Sequence, residues 1–407
     1  MSLLQPLLGL FVFLGATAIL SERRAAIVWK RVFIGVAMQF LIALLLLRVP
    51  FISDALLSLN GVVNALQDVT NRAASYMFGY LAGGPTPFTE VNPEHGFIVA
   101  FQVLPLILVV SALSALLFHF GILSFIVELV GKLLRQAFGI SGALGLGAGA
   151  TLFFGTIEAP LVIKPYLSRF SRGELLALIL CSMATIAGSV MVLYASVLES
   201  SLPGALQHLI TASLISLPAA LTLAHIYCPT SEGELAIHRL PRSELTWIEA
   251  LLDAISDAVK MIVSIIAIII VLFALVYLLD DLLSLAHSDL SLGAILTFAL
   301  RPLMWLVGFN WADAAPAAQL MGTKIVLNEF VAYLSLAETS QFDVKQTIVI
   351  AYALCGFANV ASCGIIIAGL AAIMPERRRE VVDVTFRALV LGNVATLMTA
   401  CVVGIVI

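Results

Sequence analysis

"GTKIVLNEFVAY", Gly322–Tyr333, places Lys324, Asn328 and Glu329 close together in a chain that is otherwise apolar. Of its 407 residues 61% are hydrophobic and 11% charged, and the mean hydropathy is +1.09. Soluble globular domains do not have this composition. Working outward, apolar runs long enough to cross about 30 Å of hydrocarbon as helices are Leu3–Leu20, Val32–Leu47, Phe97–Leu117, Leu175–Leu198, Leu206–Leu223, Met261–Leu279, Ile348–Ile373 and Ala388–Ile407. Together they predict an all-α polytopic membrane protein with about eight spanning helices. The first run lacks a basic leader and a small-residue cleavage site and reads as a retained helix. Period-two alternation, the mark of a barrel strand, is absent.

Basic residues stay on the cytoplasmic side during insertion. With the Ser21–Arg31 loop inside, sixteen of the 21 basic residues fall inside. They are Arg23, Arg24, Lys30, Arg31, Lys132, Arg135, Lys164, Arg169, Arg172, Arg239, Arg242, Lys260, Arg377, Arg378, Arg379 and Arg387. Both termini are then expected on the periplasmic face, and the acidic Asp280, Asp281 and Asp289 lie on that side as well. No basic patch supports nucleic-acid binding. The cysteines Cys181, Cys228, Cys355, Cys363 and Cys401 lack paired spacing and read as small buried residues. "GALGLGAG", Gly142–Gly149, follows no strand, so close helix packing is the better reading than a dinucleotide loop. Gly121–Phe138, Pro241–Ala258 and Ser291–Val307 are amphipathic and predict interfacial helices.

Two polar, broken segments remain, the opening stretch and "FFGTIEAPLVIKPYL", Phe153–Leu167. An internal repeat links them. "LCSMATIAGS" (Leu180–Ser189) and "LCGFANVASC" (Leu354–Cys363) share Leu, Cys, Ala and Ala at an offset of 174 residues, with Thr185 opposite Asn359. Upstream, each copy has a Gly-Thr pair and then a glutamate, Gly155-Thr156 before Glu158 and Gly322-Thr323 before Glu329. The basic-residue pattern inverts one copy relative to the other. Inverted repeats with interrupted helices are recurrent in secondary transporters, with the binding site near the midplane. Irregular backbone is tolerable there only where it lines a cavity or is buried in protein. The expected division is 1–137 for N-terminal helices, 138–226 for the first repeat, 227–310 for linker and scaffold, and 311–407 for the second repeat.

"GTKIVLNEFVAY" resembles the signature of the concentrative nucleoside transporters, "CGFANVAS" (Cys355–Ser362) their second diagnostic stretch, and "GTIEAP" (Gly155–Pro160) their first hairpin tip. The resemblance covers essentially the whole chain. It implies two re-entrant helical hairpins, a homotrimer, and nucleoside symport across the inner membrane by an elevator-type mechanism. It also implies that Glu329, Asn359 and Ser362 bind the ribose hydroxyls, that Phe357 borders the substrate, that Thr156, Ile157 and Glu158 face the base, and that Val190 packs against it. Thr156 and Ile157 depart from the Gln-Thr or Gln-Ser pair usual in the family. For the sugar, the chemistry of the residues agrees, because a carboxylate accepts from two vicinal hydroxyls while an amide both donates and accepts.

In sodium-coupled members an asparagine oxygen, a backbone carbonyl three residues later, and a hydroxyl and carbonyl from a broken helix hold the ion. The matching positions here are Thr151, Phe154, Thr185 and Ile186, and four oxygens suit a hard monovalent cation. The coupling ion is expected to be Na+, with H+ exchange at Glu158 or Glu329 as the alternative. A transporter of nucleobases or another polar solute is the rival reading. An ion pair of Glu329 with Lys324 is the purely structural alternative, and helix-bridging glue is the alternative for Asn359 and Ser362. Neither Gly-x-Ser-x-Gly nor His-Glu-x-x-His occurs, so an enzyme is not expected.

Overall fold

The computed structural model describes residues 3–89, 96–229, 245–287 and 290–407, and among these the regular structure is helical throughout. The N-terminal part comprises α1 (Leu4–Ile19), α2 (Trp29–Arg48), α3 (Pro50–Phe78), α4 (Val99–Gln102), α5 (Leu106–His119) and α6 (Ile122–Phe138). There follow α7 (Gly142–Ala150), α8 (Glu158–Val162), α9 (Lys164–Leu167), α10 (Arg172–Ala184), α11 (Gly188–Leu198) and α12 (Ala205–Tyr227). The C-terminal part is α13 (Trp247–Ser284), α14 (Leu292–Val307), α15 (Ala314–Val326), α16 (Glu329–Glu338), α17 (Val344–Leu354), α18 (Val360–Ile373) and α19 (Arg378–Val406). Six helices or near-continuous helix pairs are long and apolar enough to cross a membrane among the described residues.

Three expectations change. Leu175–Leu198 and Ile348–Ile373, read as single spans, are each two helices, because the backbone turns extended at Thr185–Ala187 and again at Cys355–Asn359. Pro241–Ala258 does not make a separate interfacial helix where it is described: from Trp247 onward it is the first part of α13, continuous with the Met261–Leu279 run. A Thr246 capping box starts that helix, and its 38 residues reach about 57 Å at 1.5 Å each. Thirdly, α3, with 29 residues and interspersed Asn, Asp and Arg, is a long helix that the apolar scan passes over. Arg239, Arg242 and Asp289 lie outside the described residues.

The most buried helices are α7, α10, α12, α17 and the C-terminal part of α19. The glycines of α7 act as the packing reading expects. A Cβ on Gly145 would fall 2.7 Å from the Gly131 carbonyl of α6, and one on Gly149 2.7 Å from the Val127 carbonyl, so the two backbones meet because side chains are missing. Gly356 brings the two helix breaks together in the same way: its φ is +149°, and a Cβ there would lie 2.8 Å from the Met183 carbonyl. Cys181, Cys355, Cys363 and Cys401 are buried free thiols, and Cys228 is half-buried.

Candidate functional site

At the second break Asn359 is the N-cap of α18. Its Oδ1 accepts from the Ser362 N–H at 2.7 Å, and its Nδ2 donates to Glu329 Oε2 at 2.8 Å. Glu329 is the first residue of α16, so its carboxylate sits at the positive end of a helix, and it is 4% exposed. Asn328 caps that helix by accepting from the Val331 N–H at 2.9 Å. The other carboxylate oxygen, Oε1, accepts from the Tyr194 hydroxyl of α11 at 2.7 Å. Each oxygen therefore has one fixed donor and lone-pair capacity left over for a ligand.

Lys324 does not pair with Glu329: no ion pair joins them among the described residues. Fully buried, its Nζ donates to the Ala353 carbonyl and to Thr396 Oγ1, both at 3.0 Å. The ammonium thus closes the C-terminal end of α17, where the break leaves carbonyls without helical partners.

All eight residues expected to meet substrate line one cavity of about 360 Å³. Thr156 and Ile157 come from the turn before α8 and Glu158 from its first position, Val190 from α11, Glu329 from α16, Phe357 and Asn359 from the second break, and Ser362 from the start of α18. The Ile157 side chain rests on Gly369 of α18, where a Cβ would fall 2.7 Å from its Cδ1, which makes it a packing group. Glu158 is exposed, its carboxylate accepting the Gly155 N–H at 3.0 Å. It also borders a second cavity of about 410 Å³ that reaches Phe154, Asp253 and Asp257.

Tyr194, and Ser264, Ile265 and Ile268 of α13, line the first of these cavities without having been expected there. Tyr194 lies four residues from Val190, on the same face of α11, and that spacing was the available signal. For Ser264 the signal was a lone hydroxyl in an apolar run.

Of the four positions expected to hold a cation, Thr151 and Thr185 are in contact. The Thr185 hydroxyl lies 3.2 Å from the Thr151 carbonyl and 2.9 Å from that of Cys181, while Thr151 Oγ1 donates to Ala148 O at 2.7 Å. No backbone N–H among the described residues donates to the carbonyls of Phe154 or Ile186. A buried hydroxyl and backbone carbonyls with spare lone pairs are a donor set suited to a hard monovalent cation.

Three family models match this chain. The model described as the C-terminus of Na+ dependent nucleoside transporters matches residues 208–404, the corresponding N-terminus model 8–81, and a nucleoside recognition model 100–201. The nucleoside permease NupC of Helicobacter pylori is 30% identical over 100% of this chain and 98% of its own length. This chain belongs to the concentrative nucleoside transporter family. An uncharacterized transporter of Haemophilus influenzae is 33% identical over 100% of this chain and 98% of its own. The human solute carrier family 28 member 3 is 30% identical, and the match spans 59% of its length. Among solved structures, CNTnw in an inward-facing substrate-bound state superposes with a TM-score of 0.91 at 31% identity, covering 100% of this chain and 99% of that one. A CNTnw variant in an outward-facing state gives 0.89 at 30% identity, covering 100% and 98%. As a member of this family the protein is a membrane transporter and not an enzyme.

Proposed function

We propose that this protein is an inner-membrane symporter that takes up nucleosides, driven by a sodium gradient, by elevator-type alternating access, as a homotrimer embedded in lipid with both termini periplasmic. The observation that carries this reading is the single cavity in which Glu329, held by one donor on each oxygen, faces the turn bearing Thr156 and Glu158. Glu329, Asn359 and Ser362 bind the ribose hydroxyls, Phe357 and Val190 supply apolar contact, and Thr156 and Glu158 face the base. Because Thr156 is short and Ile157 has no polar atom beyond its backbone, base selectivity is broad across purine and pyrimidine nucleosides. Sodium binds at Thr151, Phe154, Thr185 and Ile186. The interrupted helices act as two inverted repeats with re-entrant hairpins, and exposed apolar residues of α13 such as Ile270 and Val271 face lipid or neighbouring protomers.

A proton-coupled reading has one observation in its favour, the exposed Glu158 shared by both cavities. Uptake of a radiolabelled nucleoside into proteoliposomes separates the two. An inward sodium gradient at equal pH should drive accumulation, and Thr185→Ala should abolish that dependence. Accumulation under a pH gradient alone, untouched by Thr185→Ala and lost in Glu158→Gln, would move coupling to the carboxylate.

A further inference from the structure

Most of the cavity wall is accounted for by the roles above, but Tyr194 is not. Its side chain is buried, at 2% exposure, and its hydroxyl donates to a carboxylate. Its ring lies 5.9 Å from that of Phe330, stacked, and 5.2 Å from that of Tyr333, both on α16. Those rings fix where the phenol can be, and the phenol in turn fixes Glu329 Oε1. Asn359 fixes Oε2. A glutamate's terminal torsion is broad and roughly two-fold, so one donor leaves the carboxylate plane free to turn. Two donors arriving from different helices hold it.

We propose that Tyr194 is a positioning residue that sets the plane of the Glu329 carboxylate and so determines selectivity for solutes with a vicinal diol. This rests on the nucleoside reading of the cavity. Two adjacent hydroxyls present two donors a short distance apart. A carboxylate held in one plane meets both with its remaining lone pairs, whereas a turning one meets both only part of the time. Charge-assisted hydrogen bonds are roughly twice as strong as neutral ones and correspondingly sensitive to direction. α11 also begins directly after the break that carries Thr185 and Ile186, so one short helix joins the proposed sodium shell to the group that orients Glu329.

Tyr194→Phe removes the hydroxyl and keeps the ring stack, which makes it a clean variant. Dissociation constants for a ribonucleoside and its 2′,3′-dideoxy counterpart are measured by isothermal titration on purified full-length protein in sodium, for wild type and Tyr194→Phe. The wild type should prefer the ribonucleoside. In Tyr194→Phe the ribonucleoside should weaken about tenfold, equivalent to about 1.4 kcal/mol, while the dideoxynucleoside changes less than about twofold on the same scale. Phe330→Leu, which loosens the ring packing that places the phenol but leaves the hydroxyl, should lower the ribonucleoside preference in the same direction and by less than Tyr194→Phe does. Equal weakening of both ligands in Tyr194→Phe, or none, would overturn the positioning role and leave the nucleoside reading intact. A wild type that binds both equally would overturn the diol selectivity, and one that binds neither would overturn the nucleoside reading itself.

Discussion

The two helix breaks lie back to back, with Gly356 of the second against Met183 of the first, yet they are finished differently. At the second, the protein supplies its own cation: the Lys324 ammonium closes the end of α17, Asn359 caps α18, and Glu329 is buried with both oxygens engaged. At the first, among the described residues, no side chain caps α11 and no backbone N–H donates to the carbonyls of Phe154 and Ile186, and Glu158 lies open with the Gly155 N–H on its carboxylate. The lesson is that one end of the cavity is preorganised by the protein's own hydrogen bonds and the other is open. A fixed end fits the proposed sugar site, and an open end fits the proposed base and cation sites.

Breaking the preorganised end should cost most. Glu329→Gln keeps the shape but loses the charge that Tyr194 and Asn359 orient, and nucleoside affinity by isothermal titration should fall at least about a hundredfold, roughly 2.7 kcal/mol. Glu158→Gln should cost no more than about tenfold, because its carboxylate is exposed and less constrained. Equal losses would remove the contrast between the two ends. Next in size is Lys324→Met, which preserves length and leaves the Ala353 carbonyl and Thr396 hydroxyl without their donor. Stability should fall by roughly 2 kcal/mol, within the range for orphaning a buried polar group, read as thermal unfolding in detergent. An unchanged transition would show that the ammonium does not hold the second break.

The smallest effect lies far from the breaks, where Glu22 in the α1–α2 loop meets Arg172 at 2.9 Å, and Arg172 also contacts Asp383 of α19. The hydrogen bond from Arg172 holds the Glu22 carboxyl below its ordinary value of 4.5. A depressed folded value means that the pair's contribution is complete above that ordinary value and fades as pH falls through the folded one. Melting temperature should therefore drop on acidification below about pH 4.5, and by less in Glu22→Gln. Parallel curves for the two proteins would show that the pair contributes nothing to stability, as many exposed pairs do.

Much of this was legible beforehand because polar groups in an apolar chain are rare and each demands a reason. Glu329, Asn359 and Ser362 stood out on that ground, and the repeat drew Glu158 and Thr185 into the same frame. Hydropathy alone does not show the breaks inside Leu175–Leu198 and Ile348–Ile373, because a window of eighteen averages over a few extended residues; the repeat and the polar Thr185 and Asn359 are what point to interrupted helices there. The start of α13 was misread because its Asp253, Asp257 and Lys260 look interfacial, although a helix that begins beyond the hydrocarbon carries such charges at no cost.

The sequence by itself determined the solvent, the helical class, the family signature and the residue types at the site, since each follows from composition, period or local motif. Only the tertiary structure decided which donors meet which acceptors. Lys324 is five residues from Glu329 in the chain but spends its protons on α17 and α19, and Tyr194, 135 residues from Glu329, supplies the hydrogen bond instead. The physical reason is that hydrogen bonding is decided at about 3 Å and by direction, and no sequence spacing encodes that once the partners lie on different helices.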